Sequence, residues 1–309
     1  MSIQKLVIPN ISKALQDSQG LFGELQKDKR GFTELSQILR GEAGIHLADN
    51  LKNHCLMASR LVPVLRGRGL SEYRQFLEVL KAKDARALKE LVSAMTTNTT
   101  QFFRENKHFD HLKSHVLPDL LSKKAKAYQR EIRVWCAAAS TGQEPYTIAM
   151  TLLDVLNDTL SWDLKMLGTD IDMEVLERAA RGVYTEQEVA SVPPLYRQKH
   201  FRTQAGGNGS KVYAVSPQLH DLIRFAPLNL TDSHYPFQHR FDLIFCRNVL
   251  IYFEPKMASH VVDQLIAQLS PGGYLFLGHS ESGAMRSDQV TMVSHAVYQK
   301  VKSHGKKRP

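Results

Sequence analysis

Cysteine is scarce in this chain of 309 residues, and the three cysteines, Cys55, Cys136 and Cys246, lie far apart. Their spacing matches neither a disulfide framework nor a cysteine-rich zinc site, which excludes a small disulfide-stapled secreted domain. Two of them lie in apolar stretches typical of buried strands, where a free thiol behaves as a small hydrophobic group. We therefore expect a protein of the reducing cytoplasm.

Long hydrophobic runs are also missing. No segment approaches the roughly 20 apolar residues that a membrane-spanning helix needs. The start, Met1 to Asn10, lacks the order of basic and then apolar residues that is typical of a signal peptide. With 43% hydrophobic and 23% charged residues, the composition is that of a globular protein. We expect a cytoplasmic protein that does not insert into a membrane.

Acidic residues are outnumbered, because 40 Lys and Arg face 31 Asp and Glu and leave a net charge of +9. Such an excess indicates an anionic partner or serves solubility alone. Nucleic acid, a membrane surface and an acidic protein surface all remain open on charge. The basic residues concentrate between Lys52 and Arg86 and again in the C-terminal tail, at Lys300, Lys302, Lys306, Lys307 and Arg308.

Apolar spacing divides the chain into segments. Residues 1–28 are interpreted as a weakly amphipathic N-terminal extension. Between residues 29 and 95, apolar residues such as Phe32, Leu35 and Leu39 recur at helical spacing and predict a small all-α domain, with Asp84 capping its last helix. A polar break at residues 96–100 then opens a linker with a leading helix, residues 96–130. Residues 303–309 form a basic tail.

From residue 131 to 302, apolar strands alternate with helical stretches, which predicts an α/β domain with a parallel sheet. The predicted helices span about 145–157, 172–181 and 255–269, and a terminal hairpin covers 290–293 and 296–301. A second hairpin, residues 201–215, has a glycine-rich turn and is interpreted as an insertion. The predicted strands are Ile132–Ala138, Leu164–Thr169, Leu222–Phe225, Phe241–Cys246 and Tyr274–Gly278.

The stretch from Val134 to Ala149 is typical of a ligand site, because it runs from a buried strand through a turn of small residues into a helix start. Small side chains let a ligand approach the backbone, and the helix start offers free N–H groups. In open α/β sheets, nucleotide-type cofactors bind at such strand ends. Only Gly142 is a glycine here, so the turn does not match the dinucleotide-binding glycine pattern. An ordinary strand-to-helix turn remains an alternative.

Five motifs occur in the order typical of one family, and with them the chain resembles the chemotaxis receptor methyltransferases of the CheR type. The resemblance covers roughly residues 30 to 301. The motifs are Thr97-Asn98-Thr99-Thr100-Gln101-Phe102-Phe103-Arg104-Glu105, the segment from Ala137 to Tyr146, Thr169-Asp170-Ile171-Asp172, the segment from Phe245 to Phe253, and Pro271-Gly272-Gly273 followed by Gly278-His279-Ser280-Glu281.

The resemblance implies an all-α N-terminal domain followed by a Rossmann-like class I methyltransferase domain, with a small β-subdomain inserted at about residues 200–220. It implies S-adenosylmethionine as the methyl donor and S-adenosylhomocysteine as the product, without a metal. The acceptor would be a glutamate side chain in the cytoplasmic helices of a chemoreceptor (a methyl-accepting chemotaxis protein), and the product a glutamyl methyl ester. We expect a monomer.

Candidate cofactor residues follow the strands. Asp170 ends the second strand of the sheet, where a carboxylate can accept hydrogen bonds from ribose hydroxyls, while Asp172 is the better candidate for a helix cap. The resemblance implies that Glu144 pairs with the cationic amino-acid end of the donor. The alternative for Glu144 is a carboxylate favoured by the helix dipole.

Amides at strand ends form a second group. Asn229 and Asn248 could bind the adenine edge or the amino group of the donor, and Leu230 could cover the adenine ring, although either Asn could be an ordinary turn residue. The resemblance completes the predicted cofactor set with Asn98, Thr100, Arg104 and Arg247.

Arg104 and Tyr252 are the predicted catalytic residues. A carboxylate acceptor is already ionised at neutral pH, so the reaction needs in-line placement more than a strong base. A guanidinium and a phenol can orient such a carboxylate by hydrogen bonds. Arg104 could instead, or as well, bind the carboxylate of the cofactor.

Two surfaces are candidates for the receptor. If residues 50–69 are helical, Lys52, Arg60 and Arg66 share about a third of the helix circumference and could dock an acidic helix; a solvated charged face is the alternative. Pro63 departs from the family's pattern and predicts a kink. The hairpin at residues 201–215 could bind a receptor C-terminal peptide along its exposed edge, or be a tight turn alone.

Two competing functions remain. A nucleic-acid methyltransferase would suit the basic charge, but Cys246-Arg247-Asn248-Val249 lacks the prolines and the aromatic residue that such enzymes use to hold a flipped base. We therefore expect no nucleic-acid partner. A cofactor-binding module without turnover is the other alternative, and the presence of Arg104 and Tyr252 argues against it.

Overall fold

The computed structural model describes residues 11–156 and 162–301. The first ten residues of the predicted extension and the predicted basic tail lie outside the described residues. The chain divides into two compact units, Met1–Thr97 and Asn98–Pro309. The boundary falls inside the segment that the sequence assigns to a linker.

The first unit consists of helices in its described part. Asp28, Asn50 and Asp84 each accept a main-chain N–H at a helix start, and this confirms the predicted cap at Asp84. The first helix packs against the third, so the segment interpreted as an extension contributes to this unit. The helices are α1 (Ile11–Lys27), α2 (Lys29–Ala43), α3 (Leu51–Gly67), α4 (Tyr73–Lys81) and α5 (Ala85–Met95).

The second unit opens with a long helical stretch. It runs from α6 (Lys107–His111) through one turn of π-helix (Leu112–Val116) into α7 (Leu117–Lys126). Its apolar side chains are buried in the core that covers one face of the main sheet, among them Phe109 and Leu112. The segment that the sequence assigns to a linker therefore supplies core residues.

The described part of the second unit contains ten strands and five further helices. The helices are α8 (Gln143–Val155), α9 (Met173–Arg181), α10 (Pro194–His200), α11 (Pro217–Leu222) and α12 (Pro255–Gln268). The strands are β1 (Glu131–Cys136), β2 (Asp163–Asp170), β3 (Val183–Thr185), β4 (Phe201–Ala205), β5 (Lys211–Val215), β6 (Ile223–Pro227), β7 (Phe241–Cys246), β8 (Leu269–Leu277), β9 (Val290–Ser294) and β10 (Val297–Lys300).

Seven strands form one sheet in the order β6-β2-β1-β7-β8-β10-β9. The five strands from β6 to β8 are parallel, and β10 pairs antiparallel with both of its neighbours. This confirms the predicted Rossmann-like domain that ends in a hairpin. Since the carboxyl ends of parallel strands share one edge, the segments that follow β1, β2, β6 and β7 meet there.

The remaining three strands form a small separate sheet in the order β3-β5-β4. The predicted hairpin is confirmed as the antiparallel pair β4 and β5, with Phe201 opposite Val215. Strand β3 was not predicted. It pairs antiparallel with β5, so the small sheet begins at Val183 and not near residue 200.

Candidate functional site

The turn after β1 has a shape that only glycine permits at one position. Gly142 has a φ of 97° and immediately precedes α8 as its N-cap residue. A Cβ atom at this position would lie 2.6 Å from the Tyr184 hydroxyl oxygen, so both the backbone angle and the space require glycine. The turn therefore brings the start of α8 close to the carboxyl edge of the sheet.

Asp170, at the end of β2, holds this turn. Its carboxylate accepts the Ser140 N–H at 2.8 Å and the Asp172 N–H at 3.1 Å. Burial raises the pKa of Asp170, and these two N–H groups act in the opposite direction. Asp172 caps α9 by accepting the Glu174 N–H, as predicted, and it also accepts the amide of Asn98 at 3.0 Å.

Arg247, which follows β7, lies at the centre of a buried charge network. Its guanidinium donates to Glu144 at 2.6 Å, to Glu105 at 2.9 Å and to the backbone oxygen of Arg104 at 2.7 Å. Its side chain has 0% exposure, so these bonds compensate a charge removed from water. The network joins three of the five motifs of the sequence.

The two carboxylates of this network differ in their proton affinity. Burial opposes the ionisation of Glu105, but hydrogen bonds from Arg247 and Asn248 outweigh it and lower its pKa to about 2. Burial raises the pKa of Glu144, and the nearby Arg247 charge offsets part of this rise. Glu105 is therefore the fixed negative charge of the site.

Asn248 adopts a left-handed backbone with a φ of 59°. Its side-chain amide donates to Glu105 at 3.1 Å, and its main-chain N–H donates to Glu281 at 2.8 Å. The predicted site residues Arg247 and Asn248 are thus brought to the same carboxylate.

Residues 98–104 lie along the same edge. The Ser140 hydroxyl donates to the Asn98 carbonyl at 3.1 Å. Asn98 and Thr100 line a cavity of about 680 Å³ together with Thr141 and Gln143. The Arg104 guanidinium donates to the Thr99 carbonyl at 2.8 Å.

Tyr252 ends a short 3-10 turn, Leu250–Tyr252, and is half-buried. Within the described ranges, no hydrogen bond joins its hydroxyl to the Arg104 side chain. The two predicted catalytic residues are therefore each placed in a site segment but are not linked to each other.

Asn229 and Leu230, after β6, have structural partners. The Asn229 side-chain oxygen accepts the N–H and the hydroxyl of Thr231, at 3.0 and 2.8 Å, which is the turn role named as the alternative above. Leu230 is 6% exposed and belongs to the core cluster around Trp135. Contacts of either residue with adenine stay a prediction.

Glu105, His108 and His279 place three possible metal ligand atoms within 4.8 Å of one another. The same Glu105 oxygen accepts the Arg247 guanidinium at 2.9 Å, and a buried cation at that distance opposes a divalent ion. Burial, with the Arg247 charge, lowers the pKa of His108 to about 4, so its ring is neutral at pH 7. This cluster does not favour a metal.

The predicted docking face on α3 needs a correction. Arg60 is not available for docking, because its guanidinium donates to the carbonyls of Met95 and Thr96 and to the Thr97 hydroxyl, at 2.9, 3.0 and 2.9 Å. Lys52 and Arg66 are exposed. Helix α3 continues through Pro63 from Leu51 to Gly67.

Two functional candidates were missed in the sequence. Glu105 and Glu281 both lie in the quoted motifs, yet no role was assigned to them. An acidic residue directly after Arg104 was the available signal for Glu105. For Glu281 the signal was an acidic residue four positions after the end of an apolar strand.

No helix in the described ranges is long and apolar enough to cross a membrane.

Comparison with known proteins gives one consistent result. The family model described as "CheR methyltransferase, SAM binding domain" matches residues 98–299. A probable chemotaxis protein methyltransferase of Rhizobium etli is 40% identical over 245 residues, which cover 79% of this chain and 89% of that protein. The chemotaxis protein methyltransferase of Escherichia coli is 38% identical over 268 residues, with coverage of 86% and 89%. The chain belongs to the CheR methyltransferase family.

Proposed function

We propose that this protein transfers a methyl group from S-adenosylmethionine to glutamate side chains in the cytoplasmic domain of a chemoreceptor, forming glutamyl methyl esters during chemotaxis adaptation. One observation carries the proposal beside the family match. All five sequence motifs are joined by hydrogen bonds at the carboxyl edge of one sheet. The bonds are Ser140 to Asn98, Ser140 to Asp170, Arg247 to Glu105, Arg247 to Glu144 and Asn248 to Glu281.

The donor would bind beside the charge network of Glu105, Glu144 and Arg247. S-adenosylmethionine supplies the methyl group and carries a net positive charge. Arg247 places one cation between Glu105 and Glu144, so when both carboxylates are ionised the network has one negative charge to offer. The ammonium of the donor would join this network beside Glu144.

Asp170 fits the ribose role although both of its oxygens already accept an N–H. The two carboxylate oxygens together have four acceptor positions, so beside the N–H groups of Ser140, Asp172 and Ile171 one position is left for a ribose hydroxyl. The proposed cofactor set is completed by residues of the surrounding segments, Asn98, Thr100, Arg104, Asn229, Leu230 and Asn248.

For the transfer itself, the acceptor oxygen must lie in line with the methyl carbon and the sulfur of the donor. We assign the orientation of the acceptor carboxylate to Arg104 and Tyr252. The methyl–oxygen bond forms as the sulfur–methyl bond breaks, and the electron pair of that bond stays on sulfur. No proton moves, so neither a general base nor a metal is required.

The proposed partner is a chemoreceptor, which the family match supports. An acidic receptor helix would meet Lys52 and Arg66, and a receptor C-terminal peptide would add a strand to the outer edge of β4, which pairs only with β5 among the described residues. The proposal places the enzyme in the cytoplasm as a monomer, without a nucleic-acid partner.

The test uses radiolabelled methyl donor and membranes that carry chemoreceptors. We expect label on the receptor bands that is released by mild base, as a carboxylic ester requires. Duplex and single-stranded nucleic acid, offered across a salt series, serve as the competing substrates. Label in nucleic acid, or base-stable label on the receptor, would exclude the proposed reaction.

A further inference from the structure

The last of the five motifs ends in Glu281, a residue without an assigned role. Its side chain is 3% exposed and lies in the 3-10 helix His279–Ala284 that follows β8. One carboxylate oxygen accepts the N–H groups of Gly278 and Asn248 at 2.7 and 2.8 Å, and the other accepts the Leu250 N–H at 2.7 Å. Three main-chain donors thus converge on one buried carboxylate.

These bonds tie together the segments that follow two neighbouring strands. Gly278 belongs to the segment after β8, whereas Asn248 and Leu250 belong to the segment after β7. The approach is close, because a Cβ atom on Gly278 would lie 2.6 Å from the Glu281 oxygen and 3.0 Å from the Asn248 nitrogen. Glycine is therefore required at the contact.

The bond to Asn248 supports an unusual backbone. Asn248 has a φ of 59°, which residues other than glycine adopt uncommonly and which the surroundings must hold in place. Glu281 binds Asn248 itself and the residue two positions later, so it fixes the chain on both sides of Val249. This conformation directs the Asn248 amide to Glu105.

The same bonds fix the start of the turn that carries Tyr252. Leu250 is the first residue of that turn, and its N–H is held by Glu281. Ile251, in the middle of the turn, is 51% exposed, so the turn lies at the surface and has little packing of its own on that side. The Leu250 N–H bond is therefore one anchor of the turn that carries Tyr252, beside the buried Leu250 side chain.

We propose that Glu281 is a positioning residue for methyl transfer, acting through the turn Leu250–Tyr252 on the hydroxyl of Tyr252. Glu281 itself touches neither donor nor acceptor. The inference rests on the proposed function, in which Tyr252 orients the acceptor carboxylate.

The chemistry requires a carboxylate and not merely a side chain of this size. Both oxygens of Glu281 accept main-chain N–H groups. In Glu281→Gln, the amide NH2 group must replace one of them and would face at least one N–H donor. Two donors repel, so the turn shifts although the shape of the side chain is nearly unchanged.

The experiment is a double-mutant cycle in kcat with Glu281→Gln and Tyr252→Phe, measured well below the unfolding temperature of each variant. We expect Glu281→Gln alone to lower kcat at least tenfold, and to lower it less than threefold in the Tyr252→Phe background. Asp288→Asn, which removes a negative charge from an exposed position seven residues later in the chain, should leave kcat unchanged.

Three outcomes would overturn the inference. They are a wild-type kcat in Glu281→Gln, a double variant whose fold loss of kcat is the product of the two single losses, and an unchanged kcat in Tyr252→Phe. If Glu281→Gln does not fold, Glu281→Asp replaces it in the same cycle. Glu281→Asp keeps the carboxylate on a side chain that is one methylene group shorter. We expect it to lower kcat at least threefold, and we expect this loss to disappear in the Tyr252→Phe background. Absence of receptor methylation by the unaltered protein would instead contradict the proposed function.

Discussion

At the scale of single residues, Asp170 has two roles, and both are removed in Asp170→Ala. It fixes the turn after β1 through Ser140 and is proposed to accept a ribose hydroxyl. In Asp170→Ala, the loss of these charge-assisted bonds should weaken the binding of S-adenosylhomocysteine by about 1.5–3 kcal/mol. This corresponds to a dissociation constant raised roughly 10- to 150-fold in calorimetric titration.

The control is Asp163→Ala, which removes a carboxylate from the exposed opposite end of the same strand, β2. It should bind the product like the unaltered protein. A folded Asp170→Ala variant with an unchanged dissociation constant would contradict the ribose role.

The residues of the site could be named from the sequence, but their pairing could not. Arg247 and Glu144 are 103 positions apart, and only the parallel pairing of β1 with β7 brings them together. Arg60 shows the same limit in the other direction. Its basic side chain predicted a docking role. In the fold it donates hydrogen bonds to carbonyls about 35 positions away, at the end of α5, and no local pattern in the sequence indicates this pairing.

At the scale of elements, prediction worked where apolar runs are continuous and failed where they are not. Strand β7 has the predicted bounds, Phe241–Cys246, because all six residues are buried and all of them except Asp242 are apolar. Strand β8 begins at Leu269, five residues before the predicted start, since Pro271 and two glycines resemble a turn. Strand β3 has only three residues, and it is recognisable as a strand because it pairs with β5.

The C-terminal end of helix α5 is held by Arg60 of helix α3. Its guanidinium accounts for carbonyls at the C-terminus of α5 that have no partner within the helix. We expect Arg60→Ala to lower the free energy of unfolding by roughly 1.5–3 kcal/mol, as for hydrogen bonds made by a charged group. Urea denaturation measures this loss.

Lys52→Ala, on the same helix, should leave stability within about 0.5 kcal/mol of the unaltered protein, because surface substitutions away from such contacts have small effects. Equal stability of Arg60→Ala and Lys52→Ala would show that the Arg60 bonds are not maintained in solution.

The hairpin of β4 and β5 is suited to a deletion that keeps four of its five residue pairs. Without Ala205–Gly209, Gln204 would still face Val212, and Ser210 and Lys211 would form a two-residue turn. If the hairpin tethers the enzyme to a receptor, methylation of intact receptors should fall several-fold at low enzyme concentration, where tethering matters most. Affinity for the methyl donor should not change.

Gly207→Ala is the matched control, because nothing lies within 4 Å of a Cβ atom at that position. Receptor methylation by the deletion variant at the unaltered rate would assign the hairpin a structural role only.

At the scale of the whole molecule, two buried histidines make stability depend on pH. Burial lowers the pKa of His108 and of His200 to about 4, and the two residues are 2% and 1% exposed. The unfolded chain binds these protons near pH 6.5 and the folded chain does not. The stabilisation is therefore complete above pH 6.5 and is lost as the pH falls towards 4.

Between pH 7 and pH 5, we expect the free energy of unfolding to decrease by roughly 1–2 kcal/mol for each of the two histidines. Urea denaturation at a series of pH values measures the slope. A stability that stays constant or rises over this interval would contradict the neutral buried state of both rings.

The order of strands also determines when the molecule can be completed during synthesis. Strand β10, the last strand of the described residues, lies between β8 and β9 and pairs with both. Until residue 300 has left the ribosome, the edge of β8 with its buried Leu275, Phe276 and Leu277 has no partner on that side. An unpaired apolar edge is a template for association with other chains. A chain that ends at Ala296 should therefore aggregate in light scattering, whereas one that ends at Val301 should remain dispersed.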